Sequence, residues 1–262
     1  MTSNRWQPDG WGWRARIGVI VPHADLVPEA ELSAMAPDGV SIHATRVRFA
    51  AMDTDPKLGE PVELAALRAY LQPPLLDDAV ALLAGGPVSV IAYAFTSTCY
   101  LGDDGDNDTF RARLEHSAGM LPVVTTCTAA VRAMQSLDVE RIALVHPPWI
   151  SGDLHAMGVA YFRRHGLDVV FASPVVLAGG QHDIRPGDVY EWVRTNVPDD
   201  ADAIFFGGNG FRVVGAIEWL ERDLQRPVLS ANQVLLWAAL GAAGVTAEPI
   251  TGYGELLADG RG

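Results

Sequence analysis

Three apolar segments occur twice in this chain, in the same order, and that repetition limits the fold more than any single motif. Residues 16–22 match 141–147, residues 88–94 match 201–207, and residues 121–125 match 226–230. The two longer pairs are short unalternating apolar runs, as expected of parallel strands covered on both faces. Three such signals recurring in register predict two similar halves, each an α/β layer, with the ligand site between them. We place an N-terminal extension at 1–15, a first half at 16–138 and a second at 139–262, joined near Asp138 to Glu140. Helix 127–137 is assigned to the first half and left free to pack on the other.

Further strands are predicted at 40–49 and 167–173. Helical periodicity marks 60–71, 74–84, 109–118, 127–137, 154–165, 185–196, 211–224 and 232–243. Strand and helix alternate throughout, which predicts parallel sheets with right-handed crossovers. The acidic stretch 103–108 lacks the terminal Glu of a calcium loop and reads as a solvated loop that caps the next helix through Asp108.

The formal net charge of −13 over 262 residues argues against a nucleic-acid partner, because phosphate binding relies on clustered Lys and Arg. No apolar run reaches the roughly 18 to 20 residues of a membrane span, and residues 1–12 do not read as a secretory leader. A cytoplasmic protein without a membrane partner is expected. Cys99 and Cys127 are read as free thiols. The histidines show no metal-binding spacing, and no glycine-rich phosphate loop follows a strand, so neither a metal nor a nucleotide cofactor is expected.

In open parallel sheets ligands bind beyond the carboxyl ends of strands, so candidate site residues directly follow the strand runs. Thr96 and Ser97 in one half and Gly208, Asn209 and Gly210 in the other occupy equivalent places where helices should begin. Their backbone N–H groups suit carboxylate oxygens. His23 and Asp25 lie two apart on the first strand-end loop and suit a general base with an orienting carboxylate; the alternative is that Asp25 caps the next helix and His23 is solvated. Cys127 opens a predicted helix, where the dipole would favour thiolate; the alternative is a small buried hydrophobe, the reading preferred for Cys127 and more strongly for Cys99. Phe95 and Trp149 would make the cleft apolar and crowded.

Taken together these residues resemble a known family. The landmarks are Arg16 to Pro22 followed by Leu26-Val27-Pro28, Met35 to Val40, Ala92-Tyr93-Ala94 before Thr96-Ser97, Pro122 to Thr126, Arg212 ahead of Ala216-Ile217-Glu218, and Pro227 to Gln233. Their order is similar to that of the arylmalonate decarboxylase, maleate cis–trans isomerase and ectoine-utilisation group of the aspartate/glutamate/hydantoin racemase superfamily. The resemblance runs from Arg16 to Leu240. It implies two Rossmann-like parallel-sheet halves related by a pseudo-twofold axis, with the site in the cleft between them and no cofactor.

It also locates departures. The family's two cysteine positions fall on Phe95 and Gly208, the tyrosine after the central strand falls on Trp149, and an asparagine of the first loop falls on Asp25. Turnover by two-cysteine racemase or maleate isomerase chemistry is therefore not expected. The expected function is cofactor-independent decarboxylation or isomerisation of a small carboxylic or dicarboxylic acid through a carbanion or enediolate. His23 with Asp25, or else Cys127, would carry the proton. The alternatives are a catalytically silent carboxylate binder, or a hydrolase or hydratase using His23 and Asp25. A homo-oligomer is left open.

Overall fold

The computed structural model describes residues 9–246 and 249–258. The first half runs β1 (Ala15–Pro22), α1 (Val27–Met35), β2 (Val40–Val47), α2 (Ala50–Thr54), α3 (Leu64–Tyr70), α4 (Leu75–Ala84), β3 (Val90–Tyr93), α5 (Thr96–Cys99), α6 (Asp104–Ser117) and β4 (Val123–Thr125). After α7 (Thr126–Ser136) come β5 (Arg141–His146), α8 (Gly152–Arg164), β6 (Asp168–Pro174), α9 (Pro186–Asn196), β7 (Ala203–Phe206), α10 (Val214–Leu224), β8 (Val228–Ser230), α11 (Ala231–Ala242) and α12 (Glu255–Ala258).

Two four-stranded parallel sheets result, ordered β2-β1-β3-β4 and β6-β5-β7-β8, the same topology twice. The central strands are covered on both faces: Ile17, Val19, Ile20, Ile142, Leu144 and Phe205 are fully buried. This is why the strands read as unbroken apolar runs. Ile20 pairs with Tyr93 in one sheet and Val145 with Phe206 in the other. The turns after β3 and β7 therefore leave equivalent carboxyl edges, and both face the cleft.

Helix α11 is buried along its length from Ala231 to Leu240, as expected for a helix apolar on every side. It packs against α7 and against β3 and β4 of the first sheet, crossing from its own half to the other. Its start is fixed by a capping box, in which the Ser230 hydroxyl accepts from the Gln233 N–H and the Gln233 side chain accepts from the Ser230 N–H.

Two local expectations are corrected. Helix α6 begins at Asp104, with Asp103 rather than Asp108 as its cap: Asp103 Oδ1 accepts from the Asp106 N–H at 3.0 Å, and the Asp106 carboxylate returns a bond to the Asp103 N–H. The acidic stretch thus forms the helix start itself, where carboxylates satisfy otherwise unpaired N–H groups and complement the helix dipole. Helix α1, not anticipated from periodicity, starts with Pro28 in its first turn and buries Val27, Leu32 and Met35.

Candidate active site

The cleft is lined from the first half by Asp25, Phe49, Met52, Phe95, Thr96 and Ser97, and from the second by Trp149, Ile150, Leu154, Gln181, Gly208, Asn209 and Gly210, among others. It is tight. The volume open to water-molecule centres is ≈ 30 Å³. Segment 55–63 closes one side, strapped to the second half by a Gln181 N–H bond to the Lys57 carbonyl (2.5 Å) and a Val62 N–H bond to the Trp149 carbonyl (3.0 Å). Phe49, Phe95 and Tyr70 stack edge to face at centroid distances of 5.0 to 5.6 Å, giving the cleft a rigid aromatic wall.

The two strand-end turns meet across the cleft. Asn209 Oδ1 accepts from the Thr96 N–H (2.8 Å), the Thr96 hydroxyl (2.6 Å) and the Thr126 hydroxyl (3.2 Å). The side-chain amide of the second half therefore occupies the donors that the sequence offered to a carboxylate. Thr96 is a bridge between halves, with its N–H and hydroxyl both engaged. The backbone N–H groups of Ser97, Asn209 and Gly210 and the Ser97 hydroxyl make no hydrogen bond among the described residues. These are the donors that remain for a ligand.

The network continues behind the cleft. Asn209 Nδ2 donates to Asn232 Oδ1 (2.9 Å), while Asn232 Nδ2 donates to the Asn209 carbonyl (2.8 Å) and to Glu31 Oε2 (2.7 Å). Glu31 Oε1 accepts from the N–H groups of Val213 and Val214 at 2.8 and 3.1 Å. Helix α10 of the second half is thus capped by a side chain of the first. Burial pushes the Glu31 carboxyl up to about 7, opposed by its hydrogen bonds from Asn232, Val214 and Val213. Every one of these neighbours donates and none accepts, an arrangement that fits the ionised form.

Asp25 is the one ionisable side chain among the described residues lining the cleft. It is 4% exposed, and burial raises its carboxyl from the ordinary range to about 7, against the lowering effect of the Val27 N–H and the Gln181 amide. Oδ1 accepts from the Val27 N–H at 3.0 Å, the first N–H of α1, whose N-cap position is Leu26. Its other oxygen lies beside Gly210 together with Gln181 Nε2, which donates to the Gly210 carbonyl at 3.3 Å. A Cβ at position 210 would sit 2.1 Å from Gln181 Nε2, so only glycine admits this arrangement. Sequence reasoning passed over Gln181, which lies in the β6–α9 loop next to no strand end or motif.

The His23–Asp25 pair does not form. The Asp25 N–H bonds the Pro22 carbonyl in a tight turn, and the two side chains diverge. His23 Nδ1 accepts from the Phe49 N–H (3.1 Å) and Nε2 faces Asp53 at 3.6 Å, and His23 itself does not line the cleft. Cys127 is fully buried, its thiol donating to the Thr96 carbonyl at 3.5 Å, and it does not line the cleft. Burial, followed by the neighbouring Cys99, pushes this thiol up, overriding any lowering by the helix dipole. Phe95, Trp149 and Gly208 are cleft residues. Gly208 has φ +152°, a conformation L side chains rarely adopt, and a Cβ there would meet the Pro147 ring at 3.1 Å. Directly before Pro147, His146 is buried between Tyr100 (Nε2 to hydroxyl, 3.1 Å) and His155 (Nδ1 to Nδ1, 2.9 Å), and burial holds it near 3, a neutral imidazole. Among the described residues no group of three or more His, Cys, Asp or Glu could hold a metal ion, and no helix is long and apolar enough to cross a membrane.

Comparison with known proteins agrees with this architecture. The family model for arylmalonate decarboxylase matches residues 17–257. A maleate isomerase of Pseudomonas putida is 27% identical over 259 residues, covering 92% of this chain and 96% of that protein. The arylmalonate decarboxylase of Bordetella bronchiseptica is 26% identical over 173 residues, 64% of this chain and 71% of its own. Among solved structures, a mutant of the Nocardia farcinica maleate cis–trans isomerase with a covalently bound succinylcysteine intermediate superposes with a TM-score of 0.80 at 23% identity, covering 94% of this chain and 98% of that one. The fold is thus the two-sheet, pseudo-symmetric α/β architecture of these enzymes, and this chain belongs to the arylmalonate decarboxylase family.

Proposed function

We propose that this protein is a cofactor-independent lyase or isomerase that acts on a small carboxylic acid held between its two halves, with Asp25 moving the proton. The observation that carries this reading is a buried carboxyl, raised to about 7, as the one ionisable side chain among the described residues that line the cleft. A general acid–base group works best when its pKa lies near the operating pH. His23 and Cys127, the other candidates, do not line the cleft and are bonded to backbone atoms of Phe49 and Thr96.

In this reading the N–H groups of Ser97, Asn209 and Gly210 hold the carboxylate that stays on the substrate and stabilise charge developing on its oxygens. For decarboxylation, the bond to the departing carboxylate breaks, CO₂ leaves, and the electron pair remains on the α-carbon, conjugated into the retained carboxylate as an enediolate. The protonated Asp25 then delivers its proton to that carbon and is reprotonated by water. For isomerisation, the ionised Asp25 first removes a proton next to the carboxylate and returns it after rearrangement. Phe49, Phe95, Trp149 and Leu154 keep water from the carbanion and disfavour a hydrated leaving carboxylate. The covalent cysteine chemistry of the Nocardia relative has no counterpart at Phe95 or Gly208, where the resemblance places the family's thiols.

The test is a screen of arylmalonates, alkylmalonates, maleate and 2-aryl acids in D₂O, following CO₂ release, isomerisation and deuterium at the α-carbon by NMR. Turnover or exchange that disappears in Asp25→Asn supports the proposal. Turnover that survives Asp25→Asn removes Asp25 from the mechanism, and ligand binding without turnover or exchange makes the protein a carboxylate binder.

A further inference from the structure

Gln181 is fully buried in the cleft wall, and its side-chain oxygen has no hydrogen-bond partner among the described residues. Its amide nitrogen is committed to the Gly210 carbonyl at 3.3 Å, which sets the amide orientation: a flip would put two carbonyl oxygens face to face. Its backbone N–H is committed to Lys57. What Gln181 presents without a partner is therefore an acceptor. A buried unsatisfied acceptor is destabilising, so a site that retains one is suited to a ligand that supplies the donor.

The surroundings agree. Asp25, whose second oxygen lies beside the same Gly210 as the Gln181 amide, also presents an acceptor when ionised, and among the described residues no Lys, Arg or His lines the cleft. The remaining N–H donors of Ser97, Asn209 and Gly210 suit a single carboxylate.

We propose that the cleft selects a carboxylic acid that also carries a hydrogen-bond donor, a hydroxyl, ammonium or amide N–H near the carboxylate, which Gln181 Oε1 accepts, while the aromatic wall takes an apolar substituent. This rests on the carboxylate reading of the cleft and narrows its substrate class. Gln181 then determines specificity, since a site with a buried acceptor rejects the analogue that leaves it unpaired.

Three probes share a phenyl group and a carboxylate and differ at one carbon: 2-phenylpropanoate carries a methyl, mandelate a hydroxyl and 2-phenylglycine an ammonium. Isothermal titration of the wild-type protein with each enantiomer should show mandelate or 2-phenylglycine binding about tenfold or more tightly than 2-phenylpropanoate. Gln181→Met, checked by its melting temperature, should bring that ratio close to one. Whichever of the two donors binds better identifies the neutral or the charged class. Equal binding of all three to wild type, or a preference that survives Gln181→Met, overturns the proposal and leaves the carboxylate reading standing. If none of the three binds while a malonate or maleate does, this proposal falls and the carboxylate reading stands; if no carboxylate binds, both fall. Should Gln181→Met fail to fold, the wild-type comparison decides.

Discussion

Asp25 and Glu31 are two buried carboxyls six residues apart on the same β1–α1 segment, both pushed up to about 7 by desolvation, yet their surroundings give them opposite uses. Glu31 points across the domain junction into three N–H donors, two from the start of α10 and one from Asn232, and every lone pair direction it uses is filled by protein. Asp25 has one backbone donor and one amide beside it, and then the cleft. Burial alone therefore does not mark a catalytic carboxyl. What distinguishes the two is whether the protein supplies the partners that fix the protonation state or leaves that to the ligand.

The largest expected effect separates them by activity. Asp25→Asn should lower turnover on a true substrate by roughly 10² to 10⁴-fold with the fold intact, the usual range for loss of a general acid–base group, measured by steady-state kinetics alongside circular dichroism. Glu31→Gln should leave the pH dependence of turnover unchanged. If both substitutions abolish turnover equally, the distinction between them is wrong.

Stability should separate them in the other direction. Glu31→Ala leaves the Val213 and Val214 N–H groups and Asn232 Nδ2 unpaired in the interior and should cost about 3 kcal/mol in denaturant unfolding. Asp25→Asn should stabilise at alkaline pH. A carboxyl raised from 3.8 to about 7 binds more protons in the native than in the unfolded state between those values. Its contribution is complete below about pH 4 and is lost as pH rises through 7. The Asn variant lacks that loss, so its melting temperature should exceed that of wild type at pH 8 and approach it at pH 5. Glu31 adds a slope of the same sign and His146, held near 3, one of opposite sign, so the difference between variant and wild type is the informative quantity.

Smaller effects sharpen the picture of the bridge and its neighbours. Thr96→Val removes the 2.6 Å hydroxyl bond to Asn209 and keeps the backbone one, and should cost about 1 kcal/mol in thermal or urea unfolding. His23→Ala and Cys127→Ala should each retain turnover, because neither side chain lines the cleft. A large loss of kcat in either would reopen the proton-carrier assignment.

The fold was legible because a strand covered on both faces must be apolar throughout, and the chain carries that signature twice in the same order. The cleft was legible for a related reason: parallel sheets place ligands at strand carboxyl ends, so Phe95, Thr96, Ser97 and Gly208 to Gly210 could be named from position alone. Partnership was not. Nothing local in the sequence says that the Asn209 amide reaches 113 positions back to Thr96, or that Glu31 caps a helix 182 positions ahead. The spacing of His23 and Asp25 suggested a shared face, but a turn at Pro22 to Asp25 separates them. Gln181 carried no signal, since its role follows from a loop brought against Gly210 by the tertiary fold.

The central claim, that Asp25 is held to exchange a proton near neutral pH, is tested most directly by titrating its carboxyl. ¹³C NMR of protein labelled at the aspartate carboxyl carbon, with the Asp25 resonance assigned by its disappearance in Asp25→Asn, should give a midpoint near 7, as its buried setting predicts. A midpoint close to the ordinary aspartate value of about 4 would contradict the account, because the group would then be ionised at neutral pH, unable to deliver the proton that decarboxylation needs and a weak base for isomerisation.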